Sequence, residues 1–460
     1  MQLPAPQANP QQSDGLPEGI HHAYWFQVFN SASFSIVLGM PMVLYFKSLG
    51  ASATVIGIVQ GMPALLNILQ IPSARYVERT GYRTFVLRGW TLRSFFIIGM
   101  IGVACLPSWV DAMTRVVLEL LLLLGYNTSR GISACGWLPW ITQLIPEKAR
   151  GRYISIDQTF GVGAIVLTSI LAGLYLAGHR GGHGFAVVFA VSFAAAIASL
   201  HFLKRIPDAP IPEEERSRSG EPVPWRAIWG YTPFRRIVMF NSVMMGGWAC
   251  GGVLVVPFLR DTFQVSDSAF LYLNALWGVA YMGAVFFFGN KAGHVGNKPM
   301  LVVALCWQLV HFTSWGLIAA RIIPYHWAVL ALPQVTWALN LALFSLANTR
   351  LLMATVPVMG RSHFFALHSV VTSLVAGLMP FFWGMCIDAV GSWEAVTGDV
   401  HWNRFSLFYL VTLGVVALSS FYLARIEEPK SMPPDVFFNE FFIRTPARAL
   451  SRIFQKRWMS

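Results

Sequence analysis

Four ionisable residues interrupt long apolar segments of this sequence: Glu119, Arg130, Asp157 and Arg350. An ionisable side chain at membrane depth costs several kcal/mol, so it usually has a function. Arg130 lies about 15 residues before the basic end of its segment, which at ~1.5 Å per residue places it near mid-membrane. We expect Arg130 to bind an anionic or polar group of a solute, or to face a carboxylate during ion coupling. The alternative is a structural pair with a neighbouring helix.

The other three charges lie nearer the ends of their segments. Asp157 and Arg350 would form a gate pair between two halves of the protein, or remain two separate charges whose polar ends reach water. Glu119 lies toward the opposite end of the Arg130 segment, so we expect it to be interfacial, with proton binding as the alternative. No acid is singled out by position as an ion-coupling site.

Amide and indole side chains recur in the first, fourth, seventh and tenth apolar segments. They are Gln27, Asn30, Asn127, Asn241, Trp248, Trp337 and Asn340. Amides form hydrogen bonds, and indole faces pack on apolar patches, so this combination suits a hydroxylated or amphipathic solute. Each residue taken alone is equally well explained by helix packing. The set across four segments therefore predicts a binding site better than any member does.

The elements that position these residues follow from composition. The chain is 55% hydrophobic and 12% charged, with a mean hydropathy of +0.55, which excludes an ordinary soluble domain. A membrane-spanning helix needs roughly 20 apolar residues, and in lipid such runs must be helical. We predict twelve of them, near 22–47, 52–73, 84–107, 116–144, 154–178, 184–203, 235–259, 268–289, 298–320, 326–354, 362–388 and 403–425.

The sequence is also internally repeated. The pattern that begins at Glu78 after the second segment recurs at Gly293 after the eighth. A membrane chain with two similar halves is typical of a transporter with its solute path between them. We therefore predict an all-α polytopic membrane protein with two pseudo-symmetric six-helix bundles. The predicted units are a disordered tail (1–20), the first bundle (21–205), a linker (206–231), the second bundle (232–428) and a basic amphipathic tail (429–460).

The net charge of +12 is concentrated in alternate loops, which is a topology signal and argues against a nucleic-acid partner. Positive residues remain on the cytoplasmic side during insertion. We therefore expect an inner-membrane protein with both termini in the cytoplasm. Arg444, Arg448 and Arg452 recur every four residues in the last tail, so we expect it to contact anionic lipid headgroups, or alternatively a protein partner.

The loop after the second segment resembles that of the major facilitator superfamily, with Ala74, Glu78, Arg79, Gly81 and Arg83 at the family's positions. Ala74 and Glu78 replace the family's Gly and Asp. Gly296 and Lys298 match in the second half, and Arg150-Gly151-Arg152 matches a further turn. The resemblance implies alternating access and a conformational latch at the helix ends. The implied latch residues are Glu78, Arg79, Gly81, Arg83, Arg150, Arg152, Gly296 and Lys298; otherwise these residues only set topology.

The resulting hypothesis is a secondary active transporter of a sugar, sugar derivative or organic anion, acting as a monomer, with a co-transported proton or sodium ion left open. The alternatives are an efflux pump for lipophilic compounds and a non-transporting sensor or scaffold. The sequence contains no phosphate-binding loop, nucleophile elbow or metal-ligand pattern, so we expect no enzymatic activity, cofactor or metal.

Overall fold

The computed structural model describes residues 18–179, 181–209, 225–289, 296–356 and 361–428. Eleven of the described helices are long and apolar enough to cross a membrane. They are His21–Ser48, Ala53–Ala74, Tyr82–Ala104, Tyr153–Gly178, Gly182–Leu203, Thr232–Phe263, Asp267–Phe288, Asn297–Ala319, Trp327–Thr355, Phe364–Val390 and Arg404–Ala424. A further helix, Ala112–Ala134, has the same length as others in this set but carries Arg115, Glu119 and Arg130. We count it as span 4 and number all twelve spans in chain order, which confirms the predicted fold class.

Several spans are broken or extended. Span 1 consists of His21–Val37 and Met40–Ser48, span 2 of Ala53–Leu66, a 3-10 turn Asn67–Leu69 and Gln70–Thr80, and span 4 is followed by Trp137–Leu144. The helices that extend past their spans are Glu147–Gly178, Asp267–Gly289 and Arg361–Val390, and a short helix covers Trp225–Gly230. The single helix predicted over 116–144 was therefore wrong, because the chain departs from one continuous helix around Cys135 and Gly136.

The loop between spans 11 and 12 contains a β-hairpin that the hydropathy pattern did not predict. Strand β1 (Glu394–Thr397) pairs antiparallel with β2 (Val400–Asn403). The turn is possible because Gly398 adopts a φ of +59°, which glycine reaches without steric cost. The Asn403 side chain then caps span 12 by accepting from the backbone of Ser406 at 2.9 Å.

The spans form two bundles, spans 1–6 and spans 7–12. Span 1 packs on spans 5 and 6, and span 7 packs on spans 11 and 12. The bundles meet chiefly along two seams, span 2 against span 11 and span 5 against span 8. Because the number of crossings is even, residues 18 and 428 lie on one side, together with residues 209 and 225. We call this side the terminal face and the opposite side the distal face.

Three predicted units, the linker and both tails, fall largely outside the described residues. The described chain stops at residue 209 before the linker, resumes at 225, and ends at residue 428 before the basic tail. The predicted boundaries of the bundles, the linker and both tails therefore stay predictions.

Candidate functional site

An ion triad joins the bundles at the distal face. Lys47, at the end of span 1, pairs with Asp261 at the end of span 7, with 2.9 Å between Nζ and Oδ1. Arg404, at the start of span 12, binds the other oxygen of Asp261 at 3.1 Å. The Asp261 carboxylate therefore binds one cation from each bundle, and these ion pairs hold three span ends together.

A second contact closes the seam between spans 2 and 11. The Asp388 carboxylate accepts hydrogen bonds from the backbone N–H of Ala53 at 3.1 Å and of Thr54 at 2.8 Å. It also accepts one from the Thr54 hydroxyl at 2.6 Å. These N–H groups begin span 2, and the positive end of a helix favours an anion. Asp388 of one bundle thus caps a helix of the other.

Glycines allow the same seam to close backbone to backbone. A Cβ on Gly61 would lie 2.0 Å from the carbonyl oxygen of Gly377, and one on Gly57 would lie 2.2 Å from that of Pro380. A Cβ on Gly384 would lie 2.4 Å from the carbonyl oxygen of Ala53. Small residues of this kind let membrane helices approach closely. Any larger side chain there would separate the two bundles.

Two further hydrogen bonds cross between the bundles closer to mid-membrane. Gln60 Nε2 donates to the carbonyl of Gly252 at 2.7 Å, and Asn274 Nδ2 donates to Ser169 Oγ at 2.9 Å. Among the described residues, no hydrogen bond or ion pair joins the bundles in their terminal halves. The protein is therefore closed on its distal face.

Arg130 lies on span 4 directly beneath this closure. Its Nη2 donates to the carbonyl of Pro63 in span 2 at 2.5 Å, and its Nε donates to Asn127 Oδ1 at 3.3 Å. The Pro63 carbonyl is available because the 3-10 turn of span 2 directs the N–H of Asn67 to Ala64 instead. Arg130 is half-buried, and its described protein partners are uncharged; its position near mid-membrane stays a prediction.

Arg93, at the centre of span 3, was missed by the sequence analysis. It is 1% exposed, and its Nη2 donates to Asn30 Oδ1 at 2.5 Å. Its guanidinium lies 4.4 Å from the ring centres of both Phe34 and Trp90. The available signal was an arginine in the middle of the predicted segment 84–107. Arg83 and Arg88 lie at the start of that segment, where basic residues are explained by membrane topology alone, and this obscured Arg93.

The second bundle contributes an aromatic cluster from spans 7, 9 and 10. The Trp248 ring lies 5.4 Å from Trp337 and 4.6 Å from Phe344, and Trp337 lies 5.1 Å from His311. Trp248 and Trp337 remain partly accessible. The Nε1 of Trp248 has no hydrogen-bond partner among the described residues.

Uncharged amides accompany that cluster. Asn340 and Gln308 are fully buried, and neither amide atom of either has a partner among the described residues. Asn241 Nδ2 lies 2.8 Å from His368 Nε2, while its oxygen is without a partner in that part of the chain. Buried amides normally form hydrogen bonds. The second bundle therefore offers polar groups with unused hydrogen-bonding capacity.

Two predicted lining residues of span 1 have clear neighbours. Asn30 contacts Arg93 and Trp90 of span 3 and so lies inside the first bundle. Gln27 packs against Gly161 of span 5, where an added Cβ would be 2.8 Å from its Nε2. The structure thus brings Asn30, Asn127 and Arg130 together with Arg93, while Gln27 lies at a separate helix contact.

The expectation that Glu119 is interfacial was wrong. Glu119 is 0% exposed, and neither carboxyl oxygen has a partner among the described residues. It shares one face of span 4 with the buried Val116, Leu123 and Tyr126, because residues three, four and seven apart lie on the same side of a helix. That face points into the first bundle. A proton-binding role for Glu119 stays a prediction.

Asp157 and Arg350 form no ion pair with each other in this conformation. Tyr153 lies one turn earlier on the same helix as Asp157, and neither Asp157 Oδ1 nor the Tyr153 hydroxyl has a hydrogen-bond partner among the described residues. Both residues lie toward the terminal halves of their spans, where the bundles make no described polar contact. A gate between them stays a prediction for a conformation that is closed on the terminal face.

The predicted latch residues make pseudo-symmetric contacts. Gly81 and Gly296 both adopt positive φ, +80° and +92°, as expected for tight turns. Arg83 then donates to the carbonyl of Lys204 at the end of span 6. Lys298 donates to the carbonyls of Ala424 and Ile426 at the end of span 12, at 3.1 and 2.7 Å. Each cation thus stabilises a helix C-terminus within its own bundle.

The other latch residues are less informative. Arg79 is exposed. The described side chains do not include those of Glu78, Arg150 and Arg152. A latch role between the bundles therefore stays a prediction.

Comparisons with known proteins agree with this architecture. The solved nucleoside transporter NupG is similar, with a TM-score of 0.68 and 9% identity over 89% of this chain and 100% of that one. The xylose transporter XylE from E. coli has a TM-score of 0.64 and 14% identity, over 90% of this chain and 98% of that one. An inward-facing bacterial homologue of the iron transporter ferroportin has a TM-score of 0.65 and 13% identity, over 88% of this chain and 97% of that one.

These identities are low enough that they show the shared fold and nothing finer. A search of curated protein sequences finds no significant match. The Major Facilitator Superfamily model matches residues 23–255, which is half of the sequence. With the two six-span bundles and their distal closure, this match shows that the chain belongs to the major facilitator superfamily.

Proposed function

We propose that the protein is a secondary active transporter that moves a small organic solute across the cytoplasmic membrane by alternating access. The observation that carries this proposal is the one-sided closure. Polar and glycine contacts seal the distal half of the interface, and the polar residues of both bundles lie at mid-membrane beneath it. Alternation around such a central site is how a two-bundle transporter works.

The charge distribution supports a cytoplasmic terminal face. Arg79, Arg88 and Arg205 are exposed there. On the distal face, Lys47, Arg260 and Arg404 are each paired with an aspartate. Uncompensated positive charge marks the cytoplasmic side. If the terminal face is cytoplasmic, the distal closure corresponds to an inward-facing state, and a proton or sodium gradient would drive the cycle.

The polar groups favour a sugar, a sugar derivative or an organic anion as solute. Guanidinium groups from the first bundle and amides from the second are hydrogen-bond donors for hydroxyl, carbonyl or acidic oxygens. A xylose transporter and a nucleoside transporter share the fold, which is consistent with a hydroxylated solute. One observation favours the second candidate, efflux of lipophilic compounds: Trp248, Trp337 and Phe344 form a continuous aromatic surface.

Cross-linking the distal closure tests alternating access. The native cysteines are first replaced, and Lys47→Cys is combined with Asp261→Cys, which joins the two bundles. The matched control combines Arg260→Cys with Asp267→Cys, an ion pair of 3.0 Å within the second bundle. Gradient-driven flux of labelled sugars, sugar acids and nucleosides is then measured in proteoliposomes.

We expect a bifunctional maleimide to stop flux in the first variant and to leave the control active. Flux that continues after complete cross-linking of residues 47 and 261 would contradict transport by alternating access.

A further inference from the structure

We propose that the transported solute is an organic anion whose negative group binds between Arg93 and Arg130, with its uncharged body directed toward the aromatic and amide residues of the second bundle. The identification of this anion as the transported solute rests on the proposed function. The binding site itself does not, because it follows from the charges and hydrogen-bond donors of the first bundle.

The first observation is an uncompensated positive charge at mid-membrane. Arg93 Cζ lies 5.9 Å from the centre of the Tyr126 ring, and Tyr126 is one turn from Arg130 on span 4. The hydrogen-bond acceptors of both arginines are amide and backbone oxygens. The described ion pairs include neither arginine. Glu119 and Asp157, two acids within spans of this bundle, have no described contact with them. A buried and a half-buried cation without a described counter-ion are costly, and an anionic ligand would relieve the cost.

The second observation is a set of unused donors. Arg93 Nε and Nη1 have no hydrogen-bond partner among the described residues, although Arg93 is 1% exposed. The Tyr126 hydroxyl is likewise buried without a partner there, and the centre of its ring lies 5.9 Å from Arg93 Cζ. Unused donors of this kind suit a carboxylate or phosphate, whose oxygens accept several charge-assisted hydrogen bonds.

The aromatic rings around Arg93 do not remove this requirement. A cation–π contact contributes about 0.5–2 kcal/mol, and Arg93 has two close ones, with Phe34 and Trp90. The penalty for a desolvated ion is several kcal/mol and is normally offset by an opposite charge. The rings therefore fix the orientation of the guanidinium and leave its charge unneutralised.

Residues of the second bundle are suited to contact the uncharged part of the anion, which lies away from the arginines. Gln60 links the two sides, because it precedes Pro63 by one turn and bonds Gly252, which follows Trp248 by one turn. Asn340 and Trp248 supply uncharged polar atoms and an aromatic surface. A solute with hydroxyl groups or a ring attached to its acidic group matches both sides.

Thermal unfolding with matched pairs of probes tests the inference. The pairs are gluconate with glucose and phenylacetate with phenylacetamide, and inorganic phosphate serves as a probe without a body. All are added at constant ionic strength to purified protein, because a ligand that binds the folded state raises Tm with concentration. The variants are Arg130→Gln, Arg93→Met and Arg93→Lys. Arg88→Gln, an exposed arginine of the same helix, is the matched control.

We expect at least one anion to raise Tm while its neutral partner does not. The apparent affinity should fall roughly tenfold or more in Arg130→Gln and Arg93→Met, as for the loss of a hydrogen bond to a charged group. Arg93→Lys should recover part of it, and Arg88→Gln should match the wild type. The empty Arg93→Met protein should unfold at the same or a higher temperature, because an uncompensated buried charge has been removed.

Two results would overturn the inference. One is a neutral probe that raises Tm as much as its anion and keeps that effect in Arg130→Gln. The other is the lack of any anion effect that differs between the wild type and both arginine variants. Either result would leave the proposed transport function standing if cross-linking residues 47 and 261 still stops flux. Conversely, if anions bind as expected but flux continues after that cross-link, the alternating-access proposal is refuted and the anion-binding site is retained.

Discussion

The contact between Gln60 and Gly252 allows a direct test of the closed state. A Cβ on Gly252 would lie 2.0 Å from Gln60 Oε1, and Gln60 Nε2 donates to the Gly252 carbonyl at 2.7 Å. Gly252→Ala should therefore destabilise the distal closure and leave each bundle unchanged. The effect depends on a contact that exists only when the bundles meet.

The magnitude can be estimated from the two parts of this contact. Because Gln60 Oε1 is the end of a flexible side chain, the overlap can be relieved for about 1 kcal/mol, the low end of the usual range, and the lost hydrogen bond contributes about 0.5–1.5 kcal/mol. Since 1.4 kcal/mol is about a tenfold change in an equilibrium constant, the distal-open population should rise roughly 10- to 100-fold. The helical preference for alanine over glycine acts in both conformations and cancels.

The assay is labelling by a membrane-impermeant maleimide at Ala53→Cys in a background without native cysteines. Ala53 is 6% exposed beneath the distal closure, so its labelling rate reports opening. Gly246→Ala is the matched control, because its Cβ would be 3.8 Å from the nearest Met379 atom, an ordinary contact. Adding Gln60→Ala to Gly252→Ala removes the overlap and should return the rate toward that of Gln60→Ala alone.

A labelling rate for Gly252→Ala equal to that of the wild type would refute this reasoning. So would the same increase in Gly246→Ala, or no recovery when Gln60 is truncated. Any of these outcomes would mean that the contact does not control closure.

Three further predictions follow from individual side chains. Asp388→Ala should raise labelling at residue 53, since span 2 loses its cap from the other bundle, whereas Asp399→Ala in the hairpin turn should not; equal rates would contradict this. Glu119→Gln should leave Tm unchanged or raise it, because this carboxyl group is buried without a described hydrogen-bond partner. A clear fall in Tm would contradict this and indicate that the carboxyl group has a stabilising hydrogen-bond partner. The Thr114 hydroxyl holds the pKa of Asp111 below its usual value, so the cap should stabilise span 4 above the ordinary carboxyl pKa. That contribution should be lost as the pH falls through the lowered value; Asp111→Ala should lower Tm at pH 7 more than Asp111→Asn does, and equal values would contradict the cap.

The architecture was largely predictable because it depends on local properties of the sequence. Bilayer thickness sets the length of an apolar helix, so hydropathy alone located the spans. The repeated pattern from Glu78 to Arg83 predicted two similar halves, which agrees with the two bundles of six spans. Gly81 and Gly296, which the family resemblance singled out, adopt a positive φ, a conformation that glycine reaches because it has no Cβ.

The tertiary structure determined which helix faces pack against each other. Asn30 faces Arg93 across spans 1 and 3, and Glu119 points into the first bundle. A hydropathy pattern indicates that a helix is in the membrane, but its rotation depends on packing against neighbours that are distant in sequence. The same reason explains why the distal closure was not foreseen. Lys47 and Asp261, or Gln60 and Gly252, are separated by about half the chain, and their contact is a property of two assembled bundles in one of their conformations.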